Sequence, residues 1–254
     1  MKKSFYIIMV ILLAVISPLA VSSQCVNRSG VCGPGGMQLL EIDVHAMVGG
    51  SYVTENYMDC YPEISDLNSN MGLALGVGLG VKFNLTRTLG LGTGLNYVRN
   101  RTTLDMAVTG EGASSISNVF QRNTYYTFDV PVYISFAPYI SNGVKWNFDL
   151  GMYYSYGVRG TQKSTIYDAK TNELGQLMTS RTVLEKDYYK DGAFINSFKR
   201  ADMGLHLSTG ITFFGHLKLG VRSHIGFKNV AKSSGLRHPN SHNISFMAMA
   251  GWVF

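Results

Sequence analysis

Three clusters of polar, mostly titratable side chains are spaced two or four residues apart. Glu41, Asp43 and His45 form one, Lys145, Asn147 and Asp149 another, and Lys218, Arg222 and His224 keep the same parity. Asp129 and the pair Asp202 and His206 sit in segments of the same character. Carboxylates beside imidazoles can pass protons, carboxylates beside ammonium groups can neutralise each other, and three imidazoles brought together can hold zinc. A spacing of two is the repeat of a β-strand, whose successive side chains point to opposite faces. Each cluster therefore shares one face of one strand, and the question becomes what that face looks into.

The clearest strand is Tyr125 to Phe136. Tyr126, Phe128, Val130, Val132, Ile134 and Phe136 make its apolar face, and Tyr125, Thr127, Asp129, Pro131, Tyr133 and Ser135 the polar one. Eight such segments are expected: Leu39–Tyr52, Met71–Phe83, Leu89–Arg101, Tyr125–Phe136, Val144–Tyr156, Ala201–Phe213, Leu217–Phe227 and Asn243–Phe254. The gaps between them alternate in length. Asn84–Thr88, Ala137–Gly143 and Phe214–His216 are short; Glu55–Asn70, Thr102–Thr124, Gly157–Arg200 and Lys228–His242 are long. Short turns at one end and long loops at the other are expected of a strand barrel that meets lipid outside and encloses polar side chains. A soluble sandwich has no reason to alternate loop length. The sequence thus predicts an all-β fold, an eight-stranded antiparallel transmembrane β-barrel with short periplasmic turns and long extracellular loops, over residues 38–254. Within the third long segment, Ser164–Ala169 and Gln176–Leu184 flank Thr171–Gly175, which has turn chemistry, so strands five and six are expected to continue above the membrane as a hairpin.

The start of the chain agrees with export. Lys2 and Lys3 precede the apolar run Phe5–Leu13, and the small residues Ala20 to Ser23 follow, so residues 1–22 are expected to be a signal peptide and 23–37 a periplasmic N-terminal segment. A lipoprotein alternative at Cys25 lacks the lipobox leucine, Ser22 standing in its place. Export permits a disulfide among Cys25, Cys32 and Cys60. Setting aside Lys2 and Lys3 leaves 20 Lys and Arg against 16 Asp and Glu, too mild an excess to argue for nucleic acid. The expected partners are outer-membrane lipid and lipopolysaccharide, the barrel-assembly machinery during biogenesis, and a protein partner that the sequence does not name.

Eight strands enclose an interior that side chains fill. The inward set is expected to be Glu41, Asp43, His45, Lys82, Asn96, Asp129, Lys145, Asn147, Asp149, Asp202, His206, Lys218, Arg222 and His224, joined as an internal network of salt bridges. Glycines 72, 76, 78, 80, 90, 92 and 94 on strands two and three leave room for long side chains opposite. His45, His206 and His224 stand on three different strands, so spacing supports no metal site, and none is assigned. His238, Ser241 and His242 could be imagined as a nucleophile and its bases, but the basic residues Lys232 and Arg237 beside them fit a solvated loop, and no nucleophile motif is present. No catalytic residue and no cofactor is expected. Trp252 and Phe254 close the last strand with an aromatic pair, as an interface girdle and an assembly signal would require. A surface-interaction or structural role is expected, with a small transport barrel and an outer-leaflet lipid-modifying enzyme as alternatives. Enclosure by only eight strands opposes an open pore.

Several short motifs resemble the PorT-type outer-membrane β-barrel proteins of Bacteroidetes. They are Gly90–Tyr97, Tyr126–Pro131, Phe148–Tyr153, Arg200–Leu205 and Gly226–Val230, in matching order and spacing between Met71 and Phe254. The resemblance implies an outer-membrane barrel and brings no catalytic motif. One member of that family is associated with gingipain secretion, so the resemblance also implies a secretion-accessory role.

Overall fold

The computed structural model describes residues 32–33, 37–109, 115–141, 143–171, 176–190, 197–233 and 238–254. The expected leader, Cys25 and the turn at 172–175 lie outside the described residues. Nine long strands are present among these: β1 Leu40–Glu55, β2 Ile64–Asn84, β3 Leu89–Thr109, β4 Ser115–Phe136, β5 Val144–Thr171, β6 Leu177–Asp187, β7 Ala201–Phe213, β8 Leu217–Gly226 and β9 Ser241–Val253. One short helix, α1 Tyr57–Cys60, follows β1.

The antiparallel pairings run β1–β2–β3–β4–β5–β7–β8–β9 and return to β1. Eight strands therefore close on themselves and leave no edge in the ring. The alternation of the sequence explains the two surfaces. Val130, Val132, Ile134 and Phe136 are exposed on the outside of β4, while Asp129, Tyr133 and Ser135 are buried inside. The same holds on β5, where Phe148, Leu150 and Met152 face out and Asn147, Asp149 and Tyr153 face in. Between β7 and β8 the chain turns on Phe214 and Gly215, both at positive φ (53° and 75°), with the His216 N–H donating to the Phe213 carbonyl at 2.9 Å. Two positive-φ central residues match the right-handed twist of the flanking strands.

At the long-loop end the structure departs from the expected boundaries. Ile64–Asn70, Thr102–Thr109 and Ser115–Thr124, expected as loops, continue strands β2, β3 and β4. The reason is a second apolar stripe. Ile64, Leu104, Met106 and Val119 are buried together around Tyr57, which α1 delivers onto their face, and Ile166 packs against them. Burying these side chains repays the cost of ordering the backbone beyond the barrel. β5 also runs on to Thr171, as expected, but its return strand β6 is separate from β7, with residues 188–200 between them. Four neighbouring strands plus β6 thus rise above the ring as a five-stranded sheet, while β7, β8, β9 and β1 end near the rim.

Candidate functional site in the barrel interior

The polar residues predicted to share the inner face do converge there. Glu41, Asp43, His45, Lys82, Asn96, Asp129, Asn147, Asp149, Asp202, His206, Arg222 and His224 are buried, and Lys145 and Lys218 are nearly so. They stack in three layers from the short-turn end upward.

The lowest layer centres on Glu41. Its carboxylate accepts from Lys82 at 2.7 Å, from Lys145, and from the Asn84 amide at 3.0 Å. Lys82 also donates to Asn147, which donates in turn to Thr212 at 2.7 Å. In the middle layer Asp43 meets the His45 ring at 2.6 Å, the other ring nitrogen lies 2.8 Å from the Asn96 amide oxygen, and Lys218 approaches Asp43 at 3.9 Å. Glycines make this crowding possible. A Cβ on Gly80 would fall 2.1 Å from the Asp43 carboxylate, and one on Gly92 would fall 2.3 Å from the Tyr133 ring. The upper layer joins β4 to β7, β8 and β9. Asp129 accepts from the Ser155 hydroxyl at 2.6 Å, His206 and His224 meet ring to ring at 2.8 Å, and Asp202 accepts from the Tyr153 hydroxyl at 3.1 Å and the Asn243 amide at 2.9 Å. Arg222 stands between the layers, with its Nε and one terminal nitrogen buried and unpartnered.

Sequence reasoning put Tyr125 and Tyr133 on the polar face of their strand but left the tyrosines out of the inward network. Tyr133 lies against His206, and Tyr153 stacks on His224 with ring centroids 4.1 Å apart. Tyr125 stacks on Tyr188, and Tyr188 on Phe198, at 4.8 and 4.4 Å, so a pile of rings from the 188–200 connection covers the mouth. The signal for Tyr133 and Tyr153 was available, because each shares the parity of an inward aspartate on its strand. Tyr188 and Phe198 carry no such periodicity. Burial holds the Tyr188 hydroxyl far above its ordinary range, so the lid is neutral.

Among the described residues one cavity of about 30 Å3 lies beside Asp149, Lys218 and Arg222, and another of about 30 Å3 beside Asp129, Asp202 and His224. Each holds on the order of one or two waters. Among the described residues no group of histidines, cysteines and carboxylates is placed to hold a metal. The imagined nucleophile does not assemble either, because Ser241 is buried and donates its hydroxyl to the Thr54 carbonyl at 3.0 Å.

The chain belongs to the outer membrane protein beta-barrel domain family, whose match spans residues 23–232, and it is an outer-membrane protein. No curated protein matches it in sequence. Among solved structures it is similar to Ail, the attachment invasion locus protein of Yersinia pestis, in a complex with the heparin analogue sucrose octasulfate. That similarity is 13% identity over 85% of this chain and 99% of that one, with a TM-score of 0.35. It is similar to Neisserial surface protein A at 10% identity over 83% and 96%, TM-score 0.30. The translocator domain of the autotransporter NalP from Neisseria meningitidis is similar at 8% identity over 99% of both chains, TM-score 0.28.

Proposed function

We propose that this member of the outer-membrane barrel family is a non-enzymatic surface-interaction protein, with its long-loop end outside the cell and its interior closed. The observation that carries this reading is the five-stranded sheet beyond the ring. Its last strand, β6, pairs with β5 along one edge, while no described strand pairs with the other, and nearly every β6 side chain is exposed. An open strand edge offers backbone donors and acceptors to an extended segment of another chain. The interior network is the scaffold of that display. Glu41 and Asp43 meet their counter-charges within the barrel and Tyr188 covers its mouth, which supports a closed interior over a transport path or an exposed nucleophile. The motifs shared with PorT-type proteins support a secretion-accessory version of the same role.

A peptide tag inserted at residues 172–175 tests the orientation. It should bind antibody on intact cells; binding only after lysis would invert the topology and sink the reading. Single-channel recording in planar bilayers tests the closed interior, with no steady conductance steps expected. Stable ohmic steps would favour a transport role.

A further inference from the structure

The outside of β3, β4 and β5 changes character abruptly along its length. From the short-turn end the outward residues run Leu89 to Tyr97 on β3, Phe136 back to Tyr126 on β4 and Trp146 to Tyr156 on β5. Each run has about the 9–11 residues that a tilted strand needs to cross a bilayer. Its upper end is aromatic: Tyr97 packs on Tyr126 and Phe128, with centroids 5.9 and 5.1 Å apart. Beyond it, interspersed with Thr124, Val158 and Thr161, five outward residues are cations. They are Arg99 and Arg101 on β3, Arg122 on β4, and Arg159 and Lys163 on β5. Register brings them together. Arg99 and Arg159 flank Tyr126 on either side, with the Arg159 guanidinium 4.9 Å from that ring, and Arg122 pairs with Lys163 higher up.

Two further observations point to a ligand. None of these five cations makes an ion pair among the described residues, and the Nε atoms of Arg99 and Arg101 are buried without a hydrogen-bond partner. The nearest carboxylates on this face are peripheral. Asp105 accepts from Asn70 at 3.1 Å, and Glu185 sits across from Lys163 on β6. Directly beside Arg99, on the membrane face, lies an almost wholly apolar groove of about 800 Å3. Ala46, Ala248 and Ala250 keep its floor low, and Leu219, Val77 and Tyr97 stand at its sides. At the short-turn end the outward rows finish instead in Phe83, Phe136, Trp146, Leu217 and Trp252. The cationic collar belongs to one leaflet only.

We propose that this face binds a phosphorylated glycolipid of the outer leaflet, with its phosphate on Arg99, Arg101, Arg122 and Arg159 and an acyl chain in the alanine-floored groove. Guanidinium forks match phosphate oxygens, and the site lies where headgroups begin. The assignment rests on the orientation proposed above, which the intact-cell tag tests separately.

The experiment uses the refolded full-length barrel in phosphatidylcholine nanodiscs, with bisphosphorylated lipid A as the probe and native mass spectrometry to count retained lipid. Wild type should retain lipid A and lose most of that retention when the probe is dephosphorylated, an arm that needs no variant. Arg99→Gln with Arg101→Gln should weaken binding roughly ten-fold or more, equivalent to about 1.4 kcal/mol. Ala248→Phe, which fills the groove without touching charge, should also reduce retention, whereas Lys170→Gln with Arg181→Gln on the distal hairpin should not. Equal retention of phosphorylated and dephosphorylated lipid would overturn the proposal, as would full retention by the double arginine variant. Displacement of lipid A by an equal concentration of inorganic phosphate would overturn the lipid assignment. An intact-cell tag result that inverts the topology would overturn the orientation whatever the nanodisc result.

Discussion

Glu41 holds two ammonium groups and an amide in one buried carboxylate, which makes it the residue whose loss leaves most behind. Glu41→Ala should leave Lys82 and Lys145 without the carboxylate that neutralises them and cost roughly 3–5 kcal/mol. Equilibrium urea unfolding in lipid vesicles measures this, and an unchanged midpoint would mean that water already solvates both lysines. Glu55 differs in kind, because it lies at the rim, beyond the spanning part of β1. Its Oε2 is buried without a hydrogen-bond partner, and burial raises its pKa from 4.5 to about 7. The sign follows from the proton. A folded state that holds the proton more tightly than the unfolded chain has its full stability below pH 4.5, loses stability as pH rises, and has lost this contribution above about pH 7. The turn that follows Glu55 should feel the loss first. Amide exchange at Asn56, Asp59 and Tyr61, which donate to the Asn240, Asn56 and Tyr57 carbonyls, should be faster at pH 8 than at pH 5 in the native protein, beyond the intrinsic base catalysis. Glu55→Gln should remove that excess. Equal protection of both forms at pH 8 would show that the carboxylate is solvated.

Within the ring, each strand was legible because two faces with different solvents impose a period of two. The inward parity of Asp129, Asp149 and Arg222 could be read directly, whereas the layers in which they meet depend on register between strands and could not. The protruding sheet was not legible for the same reason. Above the membrane one face of Thr102–Thr109 and Ser115–Thr124 buries Leu104, Met106 and Val119 against α1, but the other meets water, so Thr103, Asp105 and Arg122 read as loop chemistry. The partner that makes the stripe meaningful, Tyr57, is far away in sequence. The sheet is therefore an addition to the barrel and should be separable from it. Ser164 and Leu184 are cross-strand partners, so replacing Thr165–Val183 with Asn-Gly shortens β5 and β6 evenly. The trimmed protein should keep the heat-dependent gel shift of a closed barrel. Because Ile166 packs on the Tyr57 cluster, exchange of the α1 amides should quicken. A trimmed protein that no longer inserts would show that the sheet takes part in forming the ring.

Closure is a property of the whole molecule, and the last residues of the chain complete it. β9 pairs with β8 on one side and β1 on the other, from Ser241 opposite Glu55 to Val253 opposite Asp43. The final bonds run from the Val253 N–H to the His216 carbonyl at 2.7 Å and from the Phe254 N–H to the Ile42 carbonyl at 2.8 Å. Trp252 stacks flat on His216 with centroids 5.3 Å apart, and both Trp252 and Phe254 face outward at the short-turn rim. Deleting Trp252–Phe254 removes this seam and reopens two edges where lipid offers no replacement hydrogen bonds. Surface level, measured by whole-cell labelling, should fall several-fold further than for the Thr165–Val183 trim. Seam and signal can be told apart. Phe254→Ala keeps every backbone bond of the seam and removes only the terminal ring. If the assembly machinery reads that ring, the point variant should accumulate in the periplasm even though the purified protein refolds as fast as wild type in detergent. Normal surface levels of Phe254→Ala beside a failing deletion would make the terminal aromatic one more lipid-facing side chain and leave the seam alone as the requirement.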